Sequence, residues 1–556
     1  MNTAKPVRLA PLSVFALLGA VAIAPCAHAA SCESLTGLAL TNARIDAAVT
    51  VPAGSYTPVG TTTAVQGLPA FCQVHGVATP VSGSNIGFEL WLPQQGWNGK
   101  LEMFGNGGYS SAIEYPNMGA QLARGYATLG TDTGHTGSDP DFAVGHPEAI
   151  VDWGHRAVHQ SVVEARAVIH QFYDADPMHS YFAGCSTGGH QAFMEAQRYP
   201  ADFDGIIAGD PGHNRTHLNM GFLWEFLRDH PQGRDNEPLL PASKLPMVTA
   251  AAVKACRPAD TLRNGGLANE PFLNDPRDCT FDPASLQCRA GDQADCLTSA
   301  QVAVVKDIYA GPHNPRTGAL IENGYVPGSE AAKPPGWASY FQDFNGRNAP
   351  ARTNFWSIWV FGDPNWNWWS YDFDATAKAT DDKLAADLNA MSADLEPFRL
   401  RGGKLITYHG FADPVVPPLD SINYRQRLID AQAAHMPQAA GAATDSASAE
   451  GRVNDFYRLF MVPGMAHCSG GPGADSFSMQ SALEDWVEHG TPPSQVTATK
   501  FANDVASSGA AFSRPLCVFP GHAFYVAGDQ TKAGSYECRQ DKLERLTLMP
   551  AQEYLR

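Results

Sequence analysis

The chain reads as an α/β protein whose strand series is interrupted by a large inserted unit, and three observations predict this. Short apolar runs ending in glycine or polar residues alternate with helical patterns from Gly125 onward. Alternation of that kind builds a parallel sheet with helices on both faces. One strand–helix junction is a glycine-flanked serine turn, Gly184-Cys185-Ser186-Thr187-Gly188. Between Pro211 and Arg399 the alternation gives way to proline-rich loops, four cysteines and a dense tryptophan cluster.

In chain order, the first element stands outside the fold. Lys5 and Arg8 form a charged start, an apolar run follows, and Ala27-His28-Ala29 offers small residues for cleavage. Residues 1–29 thus read as a secretory signal peptide, too short and wrongly flanked for a membrane anchor. Pro25 stands where lipid attachment to Cys26 would need a small residue. Cleavage would leave about 527 residues, which predicts roughly three domains. Ten of the eleven cysteines would remain, an even number that an exported chain pairs. Two basic and no acidic residues would be lost, moving the net charge from −18 to −20. Such a surface, without a basic run, argues against nucleic acid or an anionic membrane as partner. No other apolar run is long enough to span a bilayer. The expected location is secreted or periplasmic.

Strands are expected at Tyr126–Leu129, in "SYFAG" (Ser180–Gly184), at Phe203–Ala208, in "GKLITYHG" (Gly403–Gly410) and in "FYRLFMVPG" (Phe456–Gly464). Gly188 to Pro200 reads as a helix stopped by the proline. The core is therefore expected in two parts, residues 30–212 and 401–556, with a lid domain at 213–400. Ala433 to Gly451, rich in Ala, Ser and Gly, is read as a surface loop. Functional loops belong at the carboxyl ends of the strands.

Gly184 to Gly188 fits G-x-S-x-G, the turn that presents a nucleophile between a strand and a helix. The turn is tight, so residues two before and two after the nucleophile must be small. Ser186 has Gly184 and Gly188 in those places, whereas Cys185 would have Ala183 and Thr187. Serine is the expected nucleophile. It needs an aligned base, and in this arrangement acid and base follow in the order Ser, Asp, His. Asp413, in "HGFADPVVPP", and His467, in "VPGMAHCSGG", lie in loops after the last two strands and supply them. Alone, Asp413 would be a turn-forming Asp-Pro and His467 an ordinary loop histidine. Cys185 precedes the serine and Cys468 follows the histidine. If serine and histidine touch, these cysteines are close enough to bridge. A Cys185–Cys468 disulfide would close a loop of nearly 300 residues, worth about 5 kcal/mol by chain entropy.

The "CS…D…HC" arrangement resembles the tannase and feruloyl esterase family, which also contains hydrolases of mono(2-hydroxyethyl) terephthalate. "GCSTGGHQAFMEAQRYPADFDGIIAG", "TDTGHTG", "HGFADPVVPP" and "VPGMAHCSGGPG" carry the resemblance over nearly the whole mature chain. It implies an α/β-hydrolase core with a lid between the serine and aspartate segments. It further implies the pairs Cys32–Cys72, Cys256–Cys279, Cys288–Cys296 and Cys517–Cys538, which spacing alone does not choose. The oxyanion hole would use the amides of Thr187, directly after the nucleophile, and Gly108, in the loop "MFGNGGYSS", with Gly107 lining the acyl pocket.

The family often holds calcium in a lid loop, here "CRPADTLRNGG", where Asp260, Asn264 and the Leu262 carbonyl would be ligands. Arg257 replaces the usual aspartate after the cysteine, so either calcium or an Arg–Asp substitute is expected there. No cofactor is expected for catalysis. His155 and His159 are four apart on a helical pattern, but no third ligand is evident, and a surface helix accounts for them. Six of the eleven tryptophans fall between Trp337 and Trp369; most should fill the lid, with one or two, near Tyr371, reaching an aromatic acyl group. Residues 353–398 offer only Lys378 and Lys383 as cations, which favours neutral phenolic esters over a half-ester bearing a carboxylate. The expected function is a secreted serine esterase acting on hydroxycinnamate or gallate esters. A terephthalate half-ester hydrolase is the alternative, and a catalytically silent polyphenol- or carbohydrate-binding relative is the rival of another class.

Overall fold

The computed structural model describes Met1 and residues 31–341, 349–436, 446–540 and 549–555. The expected signal peptide lies outside these residues apart from Met1. Among them, nine strands form one sheet: β1 (Ala43–Val51), β2 (Phe71–Ala78), β3 (Ile86–Pro93), β4 (Lys100–Phe104), β5 (Ala127–Thr131), β6 (His179–Cys185), β7 (Gly205–Gly209), β8 (Lys404–Gly410) and β9 (Tyr457–Val462). Their spatial order is β1-β2-β3-β5-β4-β6-β7-β8-β9. The five strands expected from the sequence all form. The parallel arrangement holds from β5 through β4 and β6 to β9. It fails for β1, β2 and β3, which pair antiparallel with one another and with β5. Antiparallel neighbours need only a short turn and no crossover helix, so this half carries no strand–helix alternation to read.

The parallel strands alternate their side chains between two apolar layers, as strands buried on both faces must. Phe182, Ile206 and Leu405 pack with α1 (Ala157–Tyr173) and α2 (Thr187–Arg198). Their neighbours Tyr181, Ile207 and Ile406 pack with Leu483 and Trp486 of the helix Gln480–His489 on the other side.

The insertion leaves from the end of β7 and returns to the start of β8, two hydrogen-bonded neighbours. Its helices include α3 (Arg215–Asp229) and α4 (Leu245–Arg263). An aromatic cluster containing Trp356, Trp359, Tyr371 and Phe373 forms one of its cores, and this cluster also takes in Tyr109 and Trp153 of the sheet domain. The stretch Ala433 to Gly451 is less loop-like than expected. Its ends belong to the helices Leu419–Ala434 and Ser446–Asn454, because alanine favours helix; residues 437–445 lie outside those described. Among the described residues no helix is long and apolar enough to cross a membrane.

Candidate active site

β6 delivers Ser186 at its carboxyl end, and α2 begins at the next residue. The turn holds Ser186 at φ +63° and ψ −116°, which costs a non-glycine residue on the order of 1–3 kcal/mol. A Cβ on Gly184 would lie 2.6 Å from Gly188 Cα, and one on Gly189 would lie 2.4 Å from the Gly209 carbonyl oxygen. Strand and helix can approach this closely only through glycine. The Ser186 N–H donates to Gly209 O at 2.9 Å, tying the strained turn to β7. Cys185 is committed to a disulfide with Cys468.

Ser186 Oγ lies 2.8 Å from His467 Nε2, and His467 Nδ1 lies 2.7 Å from Asp413 Oδ2. Asp413 is fully buried, and its Oδ1 accepts from the N–H groups of Val415 and Val416 at 2.7 and 3.0 Å. With Nδ1–H donated to a carboxylate, Nε2 is left as the acceptor for the serine hydroxyl. Burial alone would raise the Asp413 pKa, but the His467 charge and hydrogen bonds from His409 and His467 hold it far below the usual carboxylate range. Burial pushes His467 down, yet the charge and hydrogen bond of Asp413 outweigh it and raise its pKa. Ser186 and His467 keep partial exposure, whereas Asp413 is sealed from solvent.

His409, on β8, supports this carboxylate from below and was not read from the sequence. Its Nδ1 meets Ser421 Oγ at 2.8 Å, while Nε2 faces Val416 O at 3.1 Å and Asp413 Oδ2 at 3.4 Å. A lone histidine inside a strand gives no signal of its own; only its placement before Asp413 could have suggested it.

The expected oxyanion loop packs against the start of α2. A Cβ on Gly105 would meet Gly188 Cα at 2.7 Å. Asn106 N–H donates to Gln191 Oε1 at 2.9 Å, and Gln191 Nε2 donates back to Asn106 Oδ1 at 3.2 Å. Asn106 Nδ2 also donates to Ala112 O and Thr131 O, at 3.0 and 2.9 Å. This buried amide pair, legible only in three dimensions, ties the loop to α2. Gly108 adopts φ +54°, and a side chain on Gly107 would meet nothing within 4 Å. Among the described residues, neither the Thr187 N–H nor the Gly108 N–H donates to a protein acceptor. Donors of this kind, where they flank a reacting serine, can hold a developing oxyanion.

Tyr371 is buried in the insertion, edge-on to Trp356 at 4.8 Å and to Phe373 at 4.7 Å, because the short turn Trp368–Ser370 directs it into the aromatic core. The aromatic ring next to Gly107 and Gly108 is Tyr109, which stacks on Trp153 at 4.8 Å and meets Trp359 edge-on at 5.4 Å. Two guanidinium groups lie over that ring, Arg215 at 4.7 Å and Arg352 at 5.2 Å. Arg352 Nη2 lies 3.3 Å from where a Gly108 Cβ would stand. Arg352 sits one residue ahead of the cation-poor segment, so the absence of an arginine there does not describe the pocket.

The Cys185–Cys468 disulfide joins the nucleophile turn to the base loop across 5.9 Å between Cα atoms. The pairs Cys32–Cys72, Cys256–Cys279, Cys288–Cys296 and Cys517–Cys538 are those the resemblance implies. The expected calcium ligands Asp260, Leu262 and Asn264 do not form a cation site. Arg257 Nη1 donates to Asp260 Oδ2 at 2.8 Å, and Arg257 Nη2 donates to the carbonyls of Glu270 and Phe272. Asp260 Oδ1 accepts from the N–H groups of Asn274 and Asp275, at 2.9 and 3.1 Å, and from Asn264 Nδ2. A guanidinium thus collects carboxylate and carbonyl oxygens that a hard cation would need. His155 Nδ1 meets the Tyr199 hydroxyl at 2.8 Å, and His159 Nδ1 meets Asp202 while its ring stacks on Tyr199. The π-helical turn Asp152–Arg156 breaks their α-helical register.

A family model described as "Tannase and feruloyl esterase" matches residues 72–539. An uncharacterized esterase of Xanthomonas campestris pv. campestris is 37% identical, over 95% of this chain and 94% of its own. A protein of Aspergillus terreus named "Probable feruloyl esterase B-2" is 31% identical, over 87% of this chain and 91% of its own. Among solved structures, feruloyl esterase B from Aspergillus oryzae superposes with a TM-score of 0.78 at 26% identity, over 91% of this chain and 99% of that one. Tannin acyl hydrolase from Aspergillus niger shares the fold, with a TM-score of 0.70 at 20% identity over 90% and 92% of the two chains. The serine turn, the sheet behind it and these relatives converge: the chain has the α/β-hydrolase fold and belongs to the tannase and feruloyl esterase family of carboxylic ester hydrolases.

Proposed function

We propose that the chain is an exported serine esterase that cleaves aromatic esters through Ser186, His467 and Asp413. The observation that carries this reading is the continuous relay of 2.8 and 2.7 Å from hydroxyl to imidazole to carboxylate. As Ser186 Oγ bonds to the ester carbonyl carbon, His467 Nε2 takes its proton and the carbonyl π electrons move onto oxygen. Asp413 holds the imidazole tautomer and stabilises the imidazolium. The amides of Thr187 and Gly108 receive the oxyanion, and the N-terminus of α2 adds its positive end. Collapse expels the alcohol, which takes the proton from His467. Water then repeats the sequence on the acyl-enzyme and frees the acid. Hydroxycinnamate and gallate esters fit the aromatic surroundings of Tyr109 and the names of the relatives. Export accords with the five disulfides among the described residues. In the lid loop we assign the structural role to Arg257 rather than to calcium.

A second reading has its own observation. Arg215 and Arg352 face the ring beside the oxyanion loop, and guanidinium groups there would favour an acyl group with a free carboxylate, as in a terephthalate half-ester. The test is hydrolysis of methyl ferulate, methyl gallate and mono(2-hydroxyethyl) terephthalate by the purified protein beside Ser186→Ala. Turnover that vanishes in the variant supports the triad, and the preferred ester selects between the two readings. Turnover that persists in Ser186→Ala would sink both.

A further inference from the structure

Two Asp-Pro steps follow two neighbouring strands. Asp413-Pro414 follows β8 and carries the carboxylate hydrogen-bonded to His467; Asp210-Pro211 follows β7, one strand nearer to Ser186. Asp210 is fully buried and is held at φ +36°, a left-handed conformation unfavourable for a non-glycine residue. Strain of this kind persists where the surroundings over-determine it, and it clusters at functional sites. Its N–H continues the ladder to Tyr408 O at 2.8 Å, and its Oδ1 accepts from Gly410 N–H at 2.8 Å. Oδ2 lies 3.5 Å from Cys185 Sγ in the disulfide that ties the serine turn to the histidine loop. His409 Nε2 stands between the two carboxylates, 3.9 Å from Asp210 Oδ1 and 3.4 Å from Asp413 Oδ2. One oxygen of each aspartate and one nitrogen of His409 all lie within 4.8 Å of one another.

We infer that Asp210 is a second acid of this site: a positioning residue whose ionised carboxylate acts through His467, supporting its imidazolium alongside Asp413. The inference rests on the triad reading above. The groups that face Asp210 are Tyr408 and His409 of β8, Asp413 in the loop after it and His467 in the loop after β9, while the disulfide carries no charge. Burial raises the Asp210 pKa to about 7; His409 and His467 oppose the rise and Asp413 adds to it. Asp210 is therefore the member of the pair that changes charge near neutrality, while Asp413 stays ionised. No atom of Asp210 needs to move for this, because the support is Coulombic across a low-dielectric interior.

The experiment compares Asp413→Asn with Asp413→Asn/Asp210→Asn from pH 5 to 9, on methyl ferulate or whichever ester proves active. A triad with one acid loses about 10⁴-fold in kcat when that acid becomes an amide. Here the single variant should lose distinctly less. The double variant should fall at least about tenfold further at pH 8, and that ratio should shrink as the pH falls and Asp210 protonates. It should do so at a pH below about 7, because the Asp413 charge that helps raise its pKa is absent from the Asp413→Asn background. Asparagine at 210 can still accept from Gly410 N–H; if that double variant does not fold, Asp413→Asn/Asp210→Ala serves the same comparison. Equal kcat in single and double variants across the range would overturn the inference. Failure of the triad reading itself would register elsewhere, as activity surviving Ser186→Ala.

Discussion

Two buried carboxylates in this molecule have nearly the same surroundings and different partners. Asp413 accepts from two backbone N–H groups on one oxygen and from His467 on the other. Asp260 also accepts from two backbone N–H groups on one oxygen, with Arg257 on the other. The geometry alone does not separate catalysis from structure; the partner does. An imidazole can release and regain its proton near neutral pH, so its pair can carry a proton through a reaction. A guanidinium keeps its proton throughout, so its pair only staples the start of the Cys256–Cys279 loop to that loop's far side at Glu270 and Phe272. Burial raises Asp260 to about 6 despite its amide and guanidinium partners, whereas the two histidines hold Asp413 far lower.

Exchanging the partners is the most severe test. His467→Ala should lower kcat by about 10⁶-fold while the melting curve changes little, and a loss below about tenfold would remove His467 from the base role. Cleaving the staple between serine and histidine comes next. Replacing Cys185 and Cys468 together by serine should cost about 5 kcal/mol in chain entropy and lower kcat as the base loop loosens; denaturant titration and steady-state rates read the two effects. Arg257→Ala should do the reverse of His467→Ala. Leaving Asp260 buried without its cation should cost about 3–5 kcal/mol of stability with kcat within twofold, and a large loss of kcat would erase the contrast.

Smaller effects sharpen it further. Only neutral His467 can act as base, and its pKa is raised by Asp413. Activity should therefore fall as pH drops through a midpoint above the ordinary histidine value of about 6.5. Asp413→Asn should move that midpoint downward, and a pH–rate profile of kcat/KM reads the shift. Last, EDTA or millimolar calcium should leave the melting temperature within about 1 °C, because Arg257 already holds the oxygens a cation would use. A rise of several degrees with calcium would return the lid loop to a metal.

Much of this site was legible in the chain. Glycine two places either side of Ser186, with Asp413 and His467 after the last two strands in order, is a local pattern imposed by a tight turn and by strand ends. Cys185 and Cys468 were legible for the same reason, since each is bonded in sequence to a triad residue. The β1–β3 meander was not, because antiparallel neighbours leave no helical spacing between them. The burial of Tyr371 among the other rings was not legible either, because an aromatic-rich segment carries no record of which rings turn inward. Arg352 was missed at the edge of a segment, since nothing in sequence places it over Tyr109.

By itself, then, the sequence determined the strand–helix series, the glycine-flanked serine turn, the order of Asp413 and His467 after it, and the cysteines able to join them, because these depend on neighbours along the chain. Only the tertiary structure decided that Arg257 holds the Asp260 carboxylate, that Asn106 and Gln191 tie the glycine loop to α2, and that Asp210 stands beside His409 and Asp413. Those outcomes depend on which strand ends lie side by side. Strands far apart in the chain become neighbours through backbone hydrogen bonds, which any side chain permits and so no residue type announces.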